Sequence, residues 1–157
     1  MSSVSVWPPG LTPESAPVYA RNELQTSVPA ETLWPVLLEV TEWPSWYPHA
    51  ANVRVTEGEK ILRLGSVFRW KTMGVTVTTT VMEFEPARSL AWKATSPVSR
   101  AFHRWYFAPA DGGGCVISTE ETESGLGPRL LASRLKGDLL RVHQDWLEQL
   151  VKRASEG

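Results

Sequence analysis

Between Pro128 and Ala154, apolar residues recur at steps of three and four: Leu131, Leu135, Leu139, Val142, Trp146 and Leu150. That spacing places them on one face of an α-helix. Lys136, Arg141, Gln144, Glu148 and Lys152 fall on the other side, where water can reach them. The stretch from Val53 to Glu123 carries a different period. Ala101, His103, Trp105 and Phe107 alternate with Phe102, Arg104 and Tyr106, and Leu90, Trp92 and Ala94 alternate with Ala91, Lys93 and Thr95. A period of two is the mark of strands. The run VTVTTTVMEFE adds β-branched residues suited to a pleated surface. Its Thr76, Thr78 and Thr80 share one face, which is expected to be structural.

Turn residues divide this region into about six strands. Gly58, Gly74, Pro86-Ala87-Arg88 and Asp111-Gly112-Gly113-Gly114 each interrupt it. Strands joined by such short turns pair antiparallel. Upstream, Val18 to Val28 reads as a further strand, and Pro29-Ala30-Glu31 opens a helix carrying Leu33, Trp34, Leu37 and Leu38. A second short helix is expected over Thr41 to Trp46, limited by Pro44 and Pro48. The expected class is therefore α+β: one curved antiparallel sheet of about seven strands around a long C-terminal helix, with two short helices after the first strand. Residues 1–17, with prolines at 8, 9, 13 and 17, are expected to form an irregular arm, and residues 18–157 a single domain.

Composition narrows the function without naming it. The 157 residues are 42% hydrophobic and 21% charged, with a net charge of −1. Nothing in that balance draws nucleic acid, so no nucleic-acid partner is expected. No apolar run reaches the roughly 18 residues of a membrane span, so no stable membrane insertion is expected. The N-terminal MSSVSVWPPG lacks the basic and apolar regions of a secretory signal. The lone Cys115 cannot form an internal disulfide, which suits a cytoplasmic location. Eight tryptophans against four Phe and three Tyr are the anomaly. Indoles serve both cores and ligand walls.

The segment PAETLWPVLLEVTEWPSWYPHAANV, the pattern from Val81 through Glu83, Glu85-Pro86, Arg88 and Leu90 to Trp92, and the stretch from Trp105 to Gly113 followed by Glu120-Glu121 come in a familiar order. They resemble the helix-grip fold of the START-like superfamily, which includes birch-pollen-allergen-like proteins and the polyketide cyclase/dehydrase and lipid-transport group. The resemblance covers about residues 18 to 154. It implies a cavity between sheet and long helix. It also implies a wall formed by Phe68, Trp70, Leu90, Trp92, His103, Trp105 and Phe107 from the strands, with Leu139, Val142 and Trp146 from the helix. Such a wall suits an apolar or aromatic small molecule.

Candidate chemistry is sparse. His103, among apolar neighbours, is a candidate general acid or base. Glu120 and Glu121 face opposite ways on the last strand, so one points inward, and Glu120 is taken with His103 as the candidate catalytic pair. An inward glutamate paired with Arg104 or Arg69 is the structural alternative. His49 and His143 are far in sequence from His103, no usual metal spacing occurs, and neither metal nor other cofactor is expected. Three readings stay open: a binder or carrier of a small lipophilic molecule, a polyketide cyclase- or dehydratase-like enzyme, and an interaction module docking through Trp43-Pro44-Ser45-Trp46. A homodimer is compatible with all three.

Overall fold

The computed structural model describes residues 6–157; the first five residues of the expected arm lie outside the described residues. Strand β1 (Val18–Thr26) leads into α1 (Ala30–Leu38) and, past a 3-10 turn, α2 (Trp43–Trp46). Then come β2 (Ala51–Glu57), β3 (Val67–Thr72), β4 (Val75–Glu85), β5 (Ser89–Thr95), β6 (Arg100–Pro109) and β7 (Cys115–Ser124). Helices α3 (Leu126–Leu130) and α4 (Ala132–Glu156) follow. All strands join one antiparallel sheet in the order β1-β7-β6-β5-β4-β3-β2. This is the expected helix-grip arrangement, with α4 lying in the concave side.

Local chemistry explains the turns. Met73 and Gly74 both have positive φ, and they alone separate the paired ends Thr72 and Val75. That is a two-residue hairpin of the kind whose twist matches its flanking strands. Gly114 is required for a different reason. A Cβ there would sit 2.0 Å from the Thr26 carbonyl oxygen, a backbone atom that can move only with β1. Gly114→Ala is expected to cost about 1–3 kcal/mol by overpacking, lowering the thermal midpoint by several degrees in a calorimetric scan.

Helix α4 is held along its length. Leu139 packs on Val18 and Ala20 of β1. The Asn22 amide donates to the Leu140 carbonyl at 2.8 Å and to the Gln144 side-chain oxygen at 3.2 Å. Leu147, Leu150 and Ala154 join the main core with Leu33 and Leu37 of α1. The continuous helix expected from Pro128 is broken. Leu131 adopts φ −120° between α3 and α4 and is 57% exposed, so the stripe begins at Leu135. Gly125, at φ 115°, turns the chain from β7 into α3, and the Gly127 N–H donates to the Val98 carbonyl of the β5–β6 loop.

Two further expectations change. Trp43 belongs to the core centre and is fully buried, with its indole N–H donating to the Leu37 carbonyl at 3.0 Å. It is therefore absent from any docking surface formed by the Trp43–Trp46 segment. The described part of the arm also has a definite place. Trp7 and Leu11 cover Phe102 and Ala91 on the outer face of the sheet. The Thr122 hydroxyl donates to the Leu11 carbonyl at 2.7 Å, and the Arg104 guanidinium donates to the Val6 carbonyl at 2.9 Å and lies 4.8 Å from the Trp7 ring centre. The arm thus buries an arginine that would otherwise stand on a solvated face.

Candidate active site in the helix-grip cavity

The sheet and helix do not close on each other throughout. At one end Trp43 fills the space. At the other, a cavity of about 470 Å³ remains, within the usual range for small-molecule sites. Trp70, Trp92 and Trp146 form its apolar floor, and Tyr47 lies stacked on Trp146 at 4.3 Å between ring centres. The rim is more open: Met73 from the β3–β4 hairpin, Val98 from the β5–β6 loop and Leu131 are all substantially exposed lining residues.

Strand register builds the polar corner. Trp92, His103 and Glu121 stand directly abreast on β5, β6 and β7, all on the inner face. His103 Nδ1 lies 3.2 Å from Glu121 Oε1, and its Nε2 is hydrogen-bonded to the Thr119 hydroxyl. From α4, His143 stacks over His103 with 4.6 Å between ring centres, and its Nε2 lies 3.8 Å from the same Glu121 oxygen. Glu123, two residues along β7, hydrogen-bonds the Glu121 carboxyl. His103, Glu121 and His143 are each more than nine-tenths buried.

Burial governs the charges here. Loss of solvent pushes His103 down to about 3 and holds His143 well below the imidazole range, the neighbouring His103 adding to the second effect. The same loss of solvent raises both Glu121 and Glu123, and for Glu123 the adjacent carboxylate raises it further. Both imidazoles are thus neutral at pH 7, and the two adjacent carboxyls together hold a proton more tightly than separate carboxyls in water do. Among the described residues no lysine or arginine forms an ion pair with either carboxyl.

Six of the expected wall residues line this cavity: Trp70, Trp92, His103, Leu139, Val142 and Trp146. Phe68, Leu90, Trp105 and Phe107 share the inner face but lie in the packed core beneath Trp43, Trp34 and Trp146. Glu120 is on the opposite, outer face. It accepts a hydrogen bond from the Tyr19 hydroxyl at 2.7 Å and lies 3.8 Å from Arg21, so it is structural and cannot meet His103. Glu121 is the inward carboxyl. Its partners are not the expected arginines either, for Arg104 sits on the outer face against Glu83 at 3.2 Å.

Sequence reasoning passed over Tyr47, Glu123 and His143. A signal existed for the last: His143 is four residues from Leu139 and three from Trp146, within the helix stripe itself.

Among curated proteins there is no match. Solved structures of similar fold include a hypothetical protein from Helicobacter pylori, with TM-score 0.87 and 24% identity over 98% of this chain and 99% of that one. The Zhui aromatase/cyclase from Streptomyces sp. R1128 matches at TM-score 0.74 and 18% identity over 87% and 93%. Ara h 8.0201 matches at TM-score 0.71 and 15% identity over 88% and 98%. At these identities the likeness is one of fold. The family model described as polyketide cyclase/dehydrase and lipid transport matches residues 21–155, nearly the whole sheet and both terminal helices, and the chain belongs to that family.

Proposed function

We propose that this protein binds a small hydrophobic or aromatic molecule in the cavity between the sheet and α4. The observation that carries this reading is the indole-floored cavity of about 470 Å³, open at an apolar rim and polar in one corner. A flat ring stacked on Trp70, Trp92 or Trp146 gains roughly 0.5–1.5 kcal/mol per good aromatic contact beyond the burial of its area. Among the described residues the Tyr47 hydroxyl and the Trp146 indole N–H, on two side chains that line the cavity, have no hydrogen-bond partner, so a ligand bearing an acceptor oxygen suits this wall better than a pure hydrocarbon. A cytoplasmic setting fits the single buried thiol of Cys115. Among the described residues no helix is long and apolar enough to cross a membrane.

Titration with 1-anilinonaphthalene-8-sulfonate tests the reading. Saturable fluorescence at one equivalent is expected. Ala101→Trp, which fills the cavity beside Glu123, is expected to weaken the dye at least tenfold with little change in thermal midpoint. Undiminished binding by that variant places the dye elsewhere and sinks the proposal. Native mass spectrometry of the freshly purified protein then reports the class of any retained molecule.

A second reading has one observation in its favour. His103, Glu121 and His143 meet at the buried end of an apolar cavity, where a cyclase- or dehydratase-like enzyme places proton-transferring groups. Glu121 takes the part expected of Glu120. Turnover of an aromatic polyketide-like substrate that is abolished by His103→Ala supports catalysis, and unchanged turnover removes His103 from it.

A further inference from the structure

We propose that His103, Glu121 and His143 form a binding site for one divalent transition-metal ion, with its open positions facing the cavity. No sequence motif announces it, because the three ligands come from β6, β7 and α4 and meet only in the fold. Their donor atoms all lie within 4.8 Å of one another. Glu121 Oε1 is 3.2 Å from His103 Nδ1 and 3.8 Å from His143 Nε2. Ligands about 2.1 Å from a tetrahedral zinc ion stand about 3.4 Å apart, so these separations straddle the required one.

The surroundings support a cation. Two buried carboxyls, Glu121 and Glu123, share a corner in which the described residues supply no lysine or arginine partner. A divalent ion supplies the missing positive charge, and its binding releases protons from this corner. His103 is already oriented as a ligand is: Thr119 occupies Nε2 and leaves Nδ1 pointing at Glu121. Glu123 holds the Glu121 carboxyl in the same way. His143 is nearly inaccessible to solvent, and among the described residues its Nδ1 has no hydrogen-bond partner. The two imidazoles are stacked with their planes 23° apart, so their in-plane lone pairs do not yet converge; His143 must turn about its Cβ–Cγ bond to aim at an ion held by His103 Nδ1, and among the described residues no hydrogen bond to the ring opposes that turn. Two imidazoles and one carboxylate with free positions make a set suited to zinc or ferrous iron. The cavity side is where a ligand oxygen completes the coordination.

Calorimetric titration of the chelator-treated full-length protein with zinc, and the visible absorption of the cobalt-substituted form, test the site. One equivalent is expected to bind with micromolar or tighter affinity and to raise the thermal midpoint. Glu121→Gln and His143→Ala are each expected to weaken binding at least a hundredfold, while Glu120→Gln, on the outer face, leaves it unchanged. Glu121→Gln keeps the buried shape with a neutral side chain, so it remains informative if His143→Ala fails to fold. No saturable binding, or binding that survives Glu121→Gln, overturns the proposal. Dye binding measured with chelator present reads the cavity separately, so the metal site and the ligand cavity fail independently.

Discussion

Trp43→Ala is expected to remove about 3–5 kcal/mol of stability, the range measured for large aromatics cut to alanine in cores. The magnitude follows from where the indole sits. Helix α2 has only four residues and could not hold its own place in water. Trp43 anchors it by driving the side chain between sheet and helix, where it meets Phe68, Trp70, Trp92 and Trp146 with ring centres 5.0–5.7 Å away. Truncation leaves a void too enclosed to collapse, because every neighbour is held by a strand or by α4. It also orphans the Leu37 carbonyl. Against a total of 5–15 kcal/mol for a domain, such a loss is a large share. Urea unfolding followed by circular dichroism measures it. Trp46→Ala is the comparison: that indole is only partly buried, and its loss is expected to be clearly smaller. Equal effects of the two substitutions would place Trp43 outside the core, as a docking role requires.

The two faces of β6 are legible in the sequence, whereas the burial of Trp43 is not. Period-two alternation on β6 placed Ala101, His103, Trp105 and Phe107 on one face and Phe102, Arg104 and Tyr106 on the other, and the structure keeps that division. Alternation alone does not say which face of a strand is concave when both are half apolar. Strand β7 therefore left Glu120 and Glu121 undecided, and only its pairing with β6 sets Glu121 opposite His103. The loop from Ala110 to Gly114 is permissive enough to allow more than one register, so the hairpin did not reveal that pairing beforehand. On α4 the attention to apolar positions hid His143, although its spacing is that of the stripe. Trp43 was misjudged because the prolines around it read as an exposed turn. Its burial depends on Phe68 and Trp146, residues 25 and 103 positions away. The cover over Arg104 had the least signal of all: Trp7 and Leu11 are two apolar residues in a proline-rich stretch, and nothing local says which surface they meet.

Without metal, the protein is expected to be most stable between about pH 4.5 and 6.5 and to weaken on both sides, and the groups facing the polar corner dictate both limbs. His103 and His143 titrate lower in the folded than in the unfolded chain, where the value is 6.5. Their contribution is complete above 6.5 and is lost as pH falls toward about 3, the folded value of His103. Glu121 and Glu123 titrate higher than the 4.5 of the unfolded chain. Their contribution is complete below 4.5 and is lost as pH rises through the folded values. Between 4.5 and 6.5 the two trends oppose. Below that window only the histidines act, and above it only the carboxyls, each limb costing on the order of 1–3 kcal/mol per pH unit near its onset. Glu123 keeps part of its surface in solvent and contributes less than Glu121. Among the other groups at the cavity, the Tyr47 phenol is raised by burial and stays neutral throughout, His49 pairs with Asp145 at 3.0 Å, and Arg141 pairs with Asp138 at the mouth. Thermal midpoints at pH 4, 5.5 and 8 in the presence of chelator measure the profile. Glu121→Gln cannot ionise and is expected to flatten the alkaline limb while leaving the acid limb in place. Saturating zinc is expected to flatten the alkaline limb for a different reason, since it holds Glu121 as a carboxylate in the folded chain, and to steepen the acid limb, where protons compete with the ion for His103 and His143. A midpoint that rises steadily from pH 5.5 to 8 in metal-free protein would mean that a cation inside the molecule already balances these carboxyls.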